Sequence, residues 1–188
     1  MRPFTRFACA DWAVATSSRH PGIALAVCEA GNEAPRLVPA PSGIWSRQAV
    51  ADWLLAQAMP RQQLVLLGAS AGWMLPTAWL AQFDEVHAWD IDPLAAPLFR
   101  WRHGRHLQSQ GTRLHLHTGD GLVQLSECTR DMPGAFFWFD NLLGQLRFTN
   151  EPLDAVSRRL QSLQKTLKHV AWGSVHDRMS GRTLPGTA

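Results

Sequence analysis

Cysteine is scarce: Cys9, Cys28 and Cys128 are the only three, and no two form a C-x-x-C pair. An odd number at wide spacing argues against a disulfide framework or a cysteine zinc site, and reads as reduced, cytoplasmic thiols. No run approaches the roughly 20 apolar residues that a membrane helix needs. The N-terminal "MRPFTRFACADWAV" meets Asp11 before an apolar stretch can form, so a signal peptide is not expected. Charge of one sign is also modest. A net charge of +3 falls well short of the dense basic stripe of a phosphate-backbone binder, so nucleic acid is left open but not implied. There is no internal repeat, no low-complexity tract and, unusually, no tyrosine beside nine tryptophans.

What is present is enough apolar sequence, 46% of 188 residues, for one sizeable core, and the expectation is a single domain over residues 1–188. From residue 64 onward short apolar runs alternate with longer helical segments, the pattern of βαβ units and a parallel sheet. The strand candidates are "LVLL" (64–67), "EVHAWD" (85–90), "RLHLHT" (113–118), "AFFWFD" (135–140) and "HVAWGSV" (169–175). The clearest helix is "EPLDAVSRRLQSLQKTLK", where Leu153, Val156, Leu160, Leu163 and Leu167 recur at spacings of three and four. Helices are also expected in "WSRQAVADWLLAQA", with Ser46 as N-cap, and in "GWMLPTAWLAQF", "PLAAPLFRWRHGRHLQSQ" and "DGLVQLSEC". Residues 1–44 read as an N-terminal β-hairpin, "RFACADWAVATSS" against "GIALAVCEAG", followed by an irregular proline-rich connection.

Three strands end in aspartate: Asp90, Asp120 just past its strand, and Asp140. In an open parallel sheet the carboxyl ends of the strands line one edge, where ligands bind. The turn Gly68-Ala69-Ser70-Ala71-Gly72 ends another strand and faces the same crevice.

On these residues the chain, over roughly 45–177, resembles the class I S-adenosylmethionine-dependent methyltransferases, which implies a doubly wound Rossmann-like α/β fold. "VLLGASAG" resembles the family's first motif, placing Gly68, Ala69, Ser70 and Gly72 at the cofactor. "VHAWDIDP" resembles the second-strand motif; Asp90 would then bind the ribose hydroxyls and Ile91 pack on the adenine. "HTGDG" implies Asp120 and Gly121 near the adenine, and "FFWFDNLLGQL" implies Asp140 and Asn141 beside the sulfonium and the methyl in flight, as the candidate catalytic pair. The chemistry agrees: vicinal hydroxyls and an exocyclic amine want carboxylate acceptors, and a cationic sulfonium suits an acid-lined edge. A pyrophosphate would prefer bare amides and cations.

Two departures stand out. The family's middle glycine is Ser70, and an acid usually found two residues before the first glycine is Leu66. The family's sheet has seven strands, and too little chain follows the fifth for a helix and two more. Either the N-terminal hairpin fills those positions, which is the expectation here, or a partner covers a short sheet edge.

Other readings compete. Gly68–Gly72 is also a G-x-S-x-G nucleophile elbow, with Asp140 and His176 following in triad order, but no HGGG-type oxyanion loop precedes it. A dinucleotide fold would need glycine where Ser70 and Trp73 stand. "RWRHGRHLQSQGTR" could grip an acidic partner in a non-catalytic subunit of the same fold, although such a cluster is more often a solvated helix face. His115 and His117 share a strand face without an apparent third metal ligand, and Asp92 suits a helix cap. Trp12, Trp53, Trp79 and Trp89 are assigned to packing, Trp73 or Trp138 to the pocket wall. For the methyl acceptor, N-P-P-[YF] is absent, which turns the expectation from nucleic-acid bases toward small molecules or protein side chains, with Gln145 and His176 as lesser candidates for handling them.

Overall fold

A computed structural model describes residues 23–32, 35–39, 46–57, 59, 62–146 and 152–177. They form an α/β structure around one open, mostly parallel seven-stranded sheet. The strands are β1 (Ile23–Cys28), β2 (Arg36–Leu37), β3 (Gln63–Leu67), β4 (Glu85–Asp90), β5 (Arg113–Thr118), β6 (Phe136–Asp140) and β7 (Trp172–Asp177), in the spatial order β2-β1-β7-β6-β3-β4-β5. From β3 the chain steps outward through β4 to the β5 edge, then returns to place β6 on the other side of β3. The carboxyl ends of β3 and β6 therefore flank the point where strand order reverses, the position at which open α/β sheets hold ligands.

Alternation along the strands explains why β3 is a continuous apolar run. Leu64 and Leu66 face one core cluster and Val65 and Leu67 the other, and all four are fully buried. The first cluster packs against α1 (Arg47–Ala56) through Val50 and Leu54, α2 (Thr77–Leu80) through Trp79 and Leu80, and α3 (Ala95–Phe99) and α4 (Arg105–Ser109) through Phe99 and Leu107. The second packs against α5 (Gly121–Asp131) through Leu125 and Cys128, and α7 (Leu153–Thr166) through Val156, Leu160 and Leu163. A four-residue turn, α6 (Leu142–Gln145), follows β6.

Ser46 caps α1 as expected, its hydroxyl accepting from Ala49 N at 3.1 Å. The segment expected as one helix from residue 72 collapses to α2 alone. Pro76 disfavours helical geometry at Leu75, and tight turns (Gly72 N to Ala69 O, 2.8 Å; Leu75 N to Gly72 O, 3.1 Å) take its place. Between α3 and α4 the helix widens to a π segment, Arg100–Gly104.

The second half of the expected N-terminal hairpin takes a place in the sheet. Strand β1 joins the sheet, antiparallel to β7 over its full length (Ile23↔Asp177 through Cys28↔Trp172), and so extends the sheet beyond its fifth parallel strand. Its other described neighbour is β2, which arises from the stretch expected to be irregular. The first half of the expected hairpin, residues 6–18, lies outside the described residues, and Cys9 and Trp12 with it. No helix among the described residues is long and apolar enough to cross a membrane.

Candidate functional site

The carboxyl ends of β3, β4, β5 and β6 open into a cleft of about 770 Å³. Its lining includes Gly68, Ser70, Asp90, Ile91, Asp120, Gly121, Asp140 and Asn141, so the strand-end acids do converge. Ala69 is buried behind the turn.

The turn after β3 is shaped by the end of β4. Gly68 N and Ala69 N both donate to Trp89 O (3.0 and 3.1 Å), and Ser70 N donates to Asp90 Oδ2 at 2.7 Å. Three successive amides are thus consumed internally, and this stretch offers no bare cradle for a phosphate. Ser70 takes the left-handed conformation (φ 46°), the strain expected where the resembled family has glycine. Gly72 has a separate reason: at φ 64°, a Cβ there would lie 2.5 Å from Nε2 of His103. His103 is fully buried under the turn, 2.7 Å from Thr77 Oγ1 through Nδ1, and burial drives its pKa down to about 4. The second glycine of G-x-S-x-G is therefore a packing requirement.

Asp90 accepts from Ser70 N through Oδ2 and from Asp92 N through Oδ1 (2.8 Å). Each oxygen keeps a further lone pair, and the carboxylate is oriented before any ligand arrives. Asp92 caps the next turn, its Oδ1 accepting from Leu94 N at 2.9 Å, and also borders the cleft. Ile91 is 74% exposed on the cleft wall, an apolar surface open to a flat ring.

Asp120 is committed more heavily than its motif suggests. It is the N-cap of α5, Oδ1 accepting from Leu122 N at 2.9 Å, and its Oδ2 lies 3.6 Å from Nη2 of Arg159 on α7. Gly121, buried, begins the helix.

Asp140 is the opposite case. It is only 8% exposed, and its Oδ1 is buried without a hydrogen-bond partner among the described residues. Burial, and secondarily the like charge of Asp90, push its pKa up to about 7. Asn141 beside it sits at φ 58°, a left-handed residue joining β6 to α6, with its N–H donating to Val175 O at 2.7 Å. Gly68 permits this approach: a Cβ there would stand 3.0 Å from Asp140 O.

Of the other candidates, Gln145 and Trp73 line the cleft, and Arg102 lies 4.5 Å over the Trp73 ring. That indole forms a wall beside the turn. Trp138 is buried edge-on against Trp79 (5.5 Å) and does not reach the cleft, and Leu66, standing where the family has an acid, is buried in the first core cluster. The hydroxyl of Ser70 makes no hydrogen bond among the described residues, and His176 is not among the lining residues. Trp89 and Arg159 line the cleft unforeseen. Trp89 was assigned to packing, and Arg159 had no local signal beyond a basic helix face. The basic cluster of residues 100–113 is divided: His103 is buried, Arg102 stacks on Trp73, and Arg113 pairs with Glu85.

No protein-family model and no curated protein matches this chain.

Proposed function

We propose that this chain is an S-adenosylmethionine-dependent methyltransferase of the doubly wound, Rossmann-like type, acting on a small molecule or a protein side chain. The reading is carried by one observation: the turn at 68–72 and the acids ending β4, β5 and β6 line a single cleft at the reversal of strand order. About 770 Å³ lies within the ordinary range for pockets that bury a cofactor-sized ligand, roughly 300–1,000 Å³. The strand order supports it as well. With β1 and β2 beside β7, the sheet reaches seven strands.

The residues present suit a cationic adenosyl ligand. The turn's amides are spent within the protein, which disfavours a phosphate, while Asp140 offers a buried, unpartnered carboxyl oxygen at the cleft. Asp90, held by two backbone N–H groups, would receive the ribose hydroxyls and Ile91 the adenine face. Asp120, Gly121 and the edge of Arg159 would border the base. When bound, the cofactor supplies an electrophilic methyl group. The protein's part is to hold the acceptor in line, the task assigned to Asp140 and Asn141 with Gln145 nearby, and to take its proton where it arrives protonated. A carboxyl with a pKa of about 7 suits that proton transfer near neutral pH. The elbow reading lacks a base at Ser70, whose amide instead secures Asp90.

Calorimetric titration with S-adenosylmethionine and S-adenosylhomocysteine tests the proposal. Both should bind, and Asp90→Ala should weaken them by about 1–3 kcal/mol through lost charge-assisted bonds. A serine-directed phosphonate should not label Ser70. Labelling abolished by Ser70→Ala, or no binding of either ligand, would overturn the proposal.

A further inference from the structure

The polar face of the β4–β5 edge is unlike the rest of the sheet. In β4 and β5, Val86, Ala88, Leu114 and Leu116 belong to or pack on the first core cluster, while the alternate residues turn to the opposite face. The parallel register pairs Glu85 with Arg113, His87 with His115 and Trp89 with His117. That register answers what sequence spacing could not: the donors that join His115 are Glu85 and His87 of the neighbouring strand, in place of His117. Glu85 Oε2 lies 3.2 Å from His87 Nε2 and 3.9 Å from His115 Nε2, and the three donor atoms all lie within 4.8 Å of one another.

We propose that Glu85, His87 and His115 form a binding site for a first-row divalent transition metal, with Zn²⁺ as the reference ion, separate from the cleft. Bonds of about 2.0–2.1 Å in a tetrahedral site set donor separations near 3.4 Å, and the two measured edges bracket that value. Two imidazoles and one carboxylate favour such an ion over Ca²⁺ or Mg²⁺, which prefer oxygen donors.

One outer-shell donor is already present, Gln63 Nε2 to Glu85 Oε2 at 3.0 Å, while Arg113 Nε donates to the other oxygen, Oε1, at 3.1 Å. Arg113 is 66% exposed and its guanidinium can turn toward water when a cation enters. The rings of His87 and His115 stack 4.4 Å apart with an angle of 12° between their planes, so one must rotate for both lone pairs to converge. His115, 43% exposed, is the ring with room to do so.

The test is calorimetry of the untagged full chain with Zn²⁺, together with the visible absorption of bound Co²⁺. One equivalent should bind, the Co²⁺ spectrum should show nitrogen and oxygen ligation, and thermal unfolding should shift upward. His115→Ala, Glu85→Gln and His87→Ala should each weaken binding at least tenfold, whereas replacing the exposed His106 of α4 (His106→Ala) should leave it unchanged. Since His115 is exposed, its variant keeps the test clear of folding defects. No saturable binding, or binding equal to wild type in His115→Ala and Glu85→Gln, would overturn the site. S-adenosylmethionine titration of His115→Ala should match wild type, so the two proposals fail separately.

Discussion

The ends of β4 and β6 carry the same residue at the same place in the strand, and the fold gives the two opposite properties. Asp90 closes β4 between two backbone amides that donate to its oxygens, Ser70 N from the turn after β3 and Asp92 N from its own turn. Asp140 closes β6 one strand beyond β3, where burial removes water and leaves Oδ1 unpartnered. One carboxylate is fixed and ready to accept hydrogen bonds. The other is poised between charged and neutral near pH 7. Side-chain identity decides neither outcome; for Asp140 burial does, and for Asp90 the backbone donors within reach do.

The strongest way to break this contrast is Asp140→Asn. The folded pKa of Asp140, about 7, is above its unfolded value of 3.8, so ionisation costs the folded state. That penalty is absent below about pH 3.8, grows between pH 4 and 7, and is constant above. The variant should therefore be more stable than wild type, by up to about 4 kcal/mol at pH 8 and by progressively less toward pH 4, in urea unfolding across that range. A difference independent of pH would contradict the buried-acid account.

A smaller effect belongs to the ligand. Under the proposed function, a sulfonium bound beside Asp140 would favour its charged form, so below pH 7 S-adenosylmethionine would have to displace a proton. Its affinity should fall by up to about tenfold per pH unit below 7, while that of the uncharged thioether S-adenosylhomocysteine stays flat. Calorimetry at pH 6, 7 and 8 compares the two directly. The smallest expected effect sharpens the link between the strand ends. Asp90→Asn removes the lesser cause of the Asp140 shift, and the stability profile should move toward lower pH by a fraction of a unit.

Legibility followed the range of the interactions. The β3 run, the capped α1 and the apolar stripe of α7 depend on neighbours within a few residues, and each appears where expected. The acid-ended strands were equally legible, because a parallel sheet brings such ends to one edge. The expected 72–83 helix is shortened to α2 by a local feature, Pro76, which stands at its N-cap. Strand β2 was missed because two residues in a proline-rich stretch become a strand only by pairing with β1.

By itself, then, the sequence determined the alternating elements, the apolar layers and which strands end in an acid, since period and local sterics act on adjacent residues. Only the tertiary structure decided that Gly72 must clear His103, that Arg159 meets Asp120, that Glu85 stands beside His115, and that Asp140 rather than Asp90 loses its water. Each joins residues at least twenty positions apart or reflects burial by many elements at once. Strand register and solvent exclusion exist only once the sheet is assembled.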